Sequence, residues 1–138
     1  MAKEPGPPYG IRARLSVPLQ QAEEQAIAAL KQEGFGILTR IDVRQTMKEK
    51  KGVDMPGYVI LGACNPGLAY QALQEEQELG ILLPCNVILY EKEGGVVVSA
   101  MNPTVALSMV RNANLAEVAR EAQDRLQKAI ESLDRQFG

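Results

Sequence analysis

The chain contains no histidine, and only two of its 138 residues are cysteine. Without histidine, the commonest general base and the commonest metal ligand are missing. Any catalysis would have to rest on Asp, Glu, Lys, Tyr, Ser or Cys. A zinc site is excluded on the same ground, because there is no CxxC spacing and no further Cys. No apolar run approaches the roughly 20 residues that cross a bilayer, so no membrane partner is expected. The first eight residues, Met1 to Pro8, include three prolines and are too polar for a signal peptide. Two cysteines in an unexported chain point to reduced thiols and a cytoplasmic location. Clustered basic charge is also lacking. The net charge is −2 and the densest basic run, Lys48-Glu49-Lys50-Lys51, is interrupted by acid. Nucleic acid is therefore not an expected partner.

What is present is apolar sequence with regular spacing. Hydrophobic residues make up 46% of the chain, enough for a core without metals or disulfides. Residues 1–9 read as a flexible leader and 10–138 as a single domain. Ile11, Ala13, Leu15 and Val17 alternate with polar residues, which predicts a half-buried strand closed by Pro18. Leu19, Ala22, Ala26, Ile27 and Leu30 recur at helical spacing, and Gly34 stands where a helix C-terminus wants positive φ. A second strand is expected over Phe35 to Val43, with Phe35, Ile37, Thr39, Ile41 and Val43 on one face. A short polar helix follows, with Asp42 as its N-cap.

Tyr58 to Ala63 is nearly all apolar and predicts a central strand. Asn65-Pro66 then opens a helix with a buried stripe of Leu68, Ala69, Ala72 and Leu73. Strands up to Tyr90 and from Val96 to Met101 flank the loop Glu91 to Gly95. A long last helix is expected with Asn114 as its cap. Its stripe runs Leu115, Val118, Ala119, Ala122, Leu126, Ala129, Ile130, Leu133 and Phe137. A β–α–β start followed by consecutive strands argues for an α+β fold with one mainly antiparallel sheet covered by helices. The strand Val96 to Met101 is apolar on both sides, so both faces of the sheet need cover, which argues for a homodimer.

Two sets of residues stand out as candidates. Cys64 and Cys85 each adjoin an asparagine, Asn65 and Asn86, at the edge of an apolar run. If their strands pair antiparallel, both thiols fall at one end of the sheet. The functional reading is a redox pair or a soft-metal site; the plain reading is two small buried hydrophobes. Asp42 and Lys50 form the second set, able to orient an anionic ligand, or else serving as a helix cap and a solvated charge.

The run Gly34 to Val43 with Thr46 to Lys50 and Gly52 resembles the family called "domain of unknown function 302". So do Ile60-Leu61-Gly62-Ala63-Cys64-Asn65-Pro66 and Leu82-Leu83-Pro84-Cys85-Asn86-Val87 with Tyr90-Glu91. These blocks span residues 10 to 105. The resemblance implies a β-α-β(4)-α fold similar to half of the TATA-binding protein, with dimers. It brings no catalytic residues. The motif positions it marks are Asp42, Lys50, Cys64, Asn65, Pro66, Pro84 and Cys85. The favoured function is a dimeric module that binds or senses a small molecule in a pocket near Cys64 and Cys85. A thiol-based redox or sulfur-handling protein, or a Cys- or Met-ligated metal or haem binder, is the alternative. The residues single out no cofactor and no reaction.

Overall fold

In the computed structural model, which describes residues 6–138, the alternating stretch Gly10–Leu15 forms strand β1 and buries Ala13 and Leu15. Pro18, in extended conformation, precedes helix α1, Leu19–Gln32, whose Ala22, Ala26 and Leu30 are buried. Gly34 follows with φ +84, the left-handed conformation that ends the helix without steric cost. Strand β2 is Gly36–Asp42 and helix α2 is Val43–Lys51. The Asp42 carboxylate accepts from the Gln45 N–H at 3.0 Å, the cap expected of it. Strand β3, Tyr58–Cys64, leads into helix α3, Pro66–Glu75, and a 3-10 segment, Gln77–Leu82. Strands β4, Cys85–Lys92, and β5, Gly95–Met101, form a hairpin. A short helix α4, Pro103–Ala106, precedes the long α5, Ala113–Phe137.

The five strands lie in the order β1-β5-β4-β3-β2, every pair antiparallel. The inserted short helices aside, this is the expected α+β arrangement, β-α-β(4)-α. Helices α1 and α5 pack on one face of the sheet, against alternate residues such as Leu61, Leu89 and Val98. All three are essentially inaccessible to solvent. Seven of the nine stripe residues expected for α5 are buried, and Val118 and Phe137 pack at the margin of the core.

Three expectations need correction. A bulge between Ile37 and Thr39 puts Leu38 out of register with β3. One extra residue flips the facing of everything beyond it. Ile37 therefore packs at the core, whereas Ile41 pairs with Ile60 on the opposite face and is 47% exposed. Val43 has left the strand for α2. Second, the cap of α5 is Asn112, which accepts from the Asn114 N–H, so the helix starts earlier than expected. Third, the second face of β5 is covered from within the chain, by side chains of the flanking strands β1 and β4. Val97 lies between Arg14 and Tyr90 in register and is fully buried within the chain itself. The Arg12 guanidinium donates to the Tyr90 hydroxyl across β5. That strand thus gives no reason by itself for a second chain.

Of the expected leader, residues 1–5 lie outside the described residues. Beyond them, the Pro7 carbonyl accepts from the Gly10 N–H, and the Tyr9 carbonyl from the Asn102 N–H at 2.8 Å. No helix among the described residues is long and apolar enough to cross a membrane.

Candidate functional site

Strand β3 ends at Cys64 and β4 begins at Cys85, and the register pairs Ala63 with Cys85. The two cysteines therefore sit at the same end of adjacent antiparallel strands, offset by one residue. Both are free thiols and both are partly buried. Between them and the helices is a cavity of about 320 Å³. Its walls come from the end of β3, the start of β4, α3, α4 and α5.

The cavity follows from the side chains that line these elements. Helix α5 is anchored by the buried Leu115 and Leu126, but Val118, Ala119 and Ala122 lie between them. Helix α3 contributes Ala69 and Ala72 to the same space. Small side chains on both helices, at the point where the strands stop, leave volume unfilled. Apart from the two thiols, the sole polar side chain in the lining among the described residues is that of Asn65. Its oxygen accepts from the Leu68 N–H at 3.2 Å, so it caps α3 as expected. Its amide nitrogen packs so close to Gly34 that a Cβ there would sit 2.8 Å away. Asn65 is thus committed to the fold on both sides.

Burial pushes the Cys85 thiol up to about 11, with Cys64 as a second, electrostatic cause. The thiolate is the reactive form, so Cys85 is a poor nucleophile at neutral pH. On the other face of the sheet Tyr58 and Tyr90 stack with ring centres 5.4 Å apart, and burial raises the Tyr58 hydroxyl pKa.

The structure brings together Cys64, Cys85 and Asn65, with Pro84 beside them. It does not bring the rest. Pro66 is the exposed first residue of α3 and is not part of the cavity wall. Asn86 pairs with Gly62 on the sheet face away from the helices and is exposed. Asp42 pairs with Val59, at the other end of β2 and β3 from Cys64, and Lys50 is an exposed residue of α2 nearby. Sequence reasoning missed the back wall given by Pro103, Leu107 and α5. The available signal was the run of small residues inside the leucine stripe of α5.

The family model "Domain of unknown function DUF302" matches residues 11–133. The chain belongs to this family. Among solved structures, it is similar to an uncharacterised conserved DUF302 protein from Bacillus stearothermophilus. That similarity has 30% identity and a TM-score of 0.84, and covers 91% of this chain and 98% of the other. Comparison with curated proteins gives no match. The DUF302 match agrees with the motif blocks read from the sequence, including both segments that carry Cys64 and Cys85. Neither similarity names a ligand or a reaction for the family.

Proposed function

We propose that this DUF302 protein binds a small, uncharged, apolar molecule in the cavity beside Cys64 and Cys85. The observation that carries the reading is the near absence of polar lining in a space of about 320 Å³. Ligand sites start at about this size, and interior packing density gives room for roughly ten to fifteen non-hydrogen atoms. That room is far short of a haem. The raised Cys85 pKa counts against a thiol-redox role, since the thiolate would be scarce at neutral pH. Two reduced thiols in the wall fit a cytoplasmic setting.

The test uses 1-aminonaphthalene, a neutral fluorophore of the right size. The native protein should shift its emission to the blue and saturate, with a Kd on the order of 1–100 μM for a ligand this small. Ala119→Leu places three more carbons in the empty space and should abolish the shift while the chain stays folded. No saturable shift, or an unchanged one in Ala119→Leu, would overturn the reading.

A homodimer is a second element of the proposal, favoured by the sheet face that α1 and α5 leave uncovered. Ile41, Ile60 and Ile88 stand in one row across three strands there, Ile41 exposed and the other two half-buried. A second copy laid on that row would cover it. Sedimentation at micromolar concentration should give twice 15.0 kDa; a species at the single-chain mass rules the dimer out.

A further inference from the structure

We propose that Leu38 and Leu73 frame the mouth of the cavity and select its occupant by width, admitting narrow apolar molecules and rejecting broader ones of the same polarity. This rests on the apolar-ligand reading and adds to it the residues that set specificity.

The bulge in β2 is what brings Leu38 to the cavity. Ala63 faces the helices and pairs with Ile37, so its neighbour Gly62 lies on the opposite face of the sheet. In a regular strand Leu38 would stand across from Gly62, on that opposite face. The bulge gives this place to Thr39 and leaves Leu38 as the extra residue, and its side chain borders the cavity. Bulges beside binding sites re-aim side chains in this way. Gly62 makes the arrangement possible. A Cβ there would fall 2.2 Å from Thr39 Oγ1 and 2.9 Å from Pro84 Cγ. Thr39 and Pro84 thus close over Gly62 together, and Pro84 is itself part of the cavity wall.

A side chain that borders a cavity and also stands in solvent lies at the opening. Leu38 is 67% exposed and Leu73, from α3, is 39% exposed, and both border this cavity. Gly80 of the 3-10 segment borders it too and is exposed, but brings no side chain. A Cβ on Gly80 would meet nothing within 4 Å among the described residues. Ala63, Ala72 and Ala119, also in the wall, are buried. The opening is therefore framed by two leucines from different elements and by bare backbone. Leucine side chains offer neither charge nor a hydrogen bond, so selection at this mouth falls to shape. In an apolar site one methylene of misfit is worth about 10–200-fold.

The experiment uses Cys85, which borders the same cavity, as a reporter behind the mouth. In the full-length Cys64→Ser chain it is the one thiol. Its alkylation at pH 9 is followed with iodoacetamide and with iodoacetanilide, which carry the same reactive group on a narrow and a broad body. Each rate is divided by that of the urea-unfolded chain, and the ratio of the two quotients cancels the thiolate fraction. The narrow reagent should be favoured by at least about tenfold, falling to about threefold or less when Leu38→Ala is added. Leu73→Ala should act in the same direction. Leu38 is exposed, so Leu38→Ala should unfold at the same urea concentration as its parent. A parent chain that does not discriminate between the reagents overturns the proposal, as does discrimination that is the same with and without Leu38. Saturable binding of 1-aminonaphthalene together with either of these results refutes the width filter alone. Reagent discrimination that follows Leu38, without binding of 1-aminonaphthalene, refutes the apolar-ligand reading alone.

Discussion

The Cys85 thiol offers the sharpest physical test of the site. Burial is the larger cause of its high pKa of about 11, against an ordinary value of 9.0, and the neighbouring Cys64 adds to it. In a Cys64→Ser background the burial remains and Cys85 is the one thiol left. At pH 7 the thiolate fraction falls from about one in a hundred for an ordinary thiol to about one in ten thousand. Alkylation by iodoacetamide should therefore run about 100-fold slower than in the urea-unfolded chain. The same shift appears in stability. The folded chain holds this proton more tightly than the unfolded chain. Its contribution is then fully present below pH 9 and is lost as the pH rises through 11. At pH 10 the loss is about 1.4 kcal/mol relative to neutral pH, one pKa unit's worth. Urea unfolding at pH 7 and pH 10, compared between the native chain and Cys85→Ser, isolates that amount. Tyr58 is shifted upward too and destabilises in the same direction, but it is common to both chains and cancels. An alkylation profile that inflects at or below pH 9, or identical pH dependence in the two chains, would refute the reasoning.

Asn65→Ala removes the cap of α3 and should cost about 1 kcal/mol in denaturant unfolding. Leu126→Ala, at a side chain fully buried between α5 and the sheet, should cost about 2–5 kcal/mol and lower the thermal midpoint accordingly. The Glu23–Arg40 pair, at 2.5 Å but with the arginine half exposed, should contribute no more than about 1 kcal/mol in a double-mutant cycle. Gly62→Ala should be strongly destabilising, because its Cβ would fall 2.2 Å from the Thr39 hydroxyl and 2.9 Å from Pro84.

The order and kind of the main elements were legible because their signals are local. Alternation marked β1, helical spacing marked α1 and α5, and Asn65-Pro66 marked the start of α3. The placement of Cys64 and Cys85 at one end of the sheet was legible too, since it needs only that β3 and β4 be antiparallel neighbours. What could not be read was set by contacts distant in sequence. The bulge at Leu38 depends on the partner strand, so Thr39 and Ile41 were assigned to the wrong face. The place of β5 inside the sheet and not at its edge depends on β1, which lies far from it along the chain. The cavity depends on which small residues of α3 face which small residues of α5, and no spacing rule within one helix reports that.

Strand β1 has a consequence for how the chain comes to be folded. Its residue Leu15 pairs with Val96 and Gly10 with Met101, partners more than eighty positions away. By contrast β2, β3, β4 and β5 each lie beside the next in sequence. The opposite end of the chain reaches β1 as well: the Phe137 carbonyl accepts from the Ser16 N–H at 2.7 Å. During synthesis, at about 5–20 residues per second, β1 must wait several seconds for its sheet partner and longer for α5. The four-strand meander can assemble meanwhile from near neighbours, with one edge of β5 open. Closure of that edge by the first strand to be made is then the late, slow-searching event of folding.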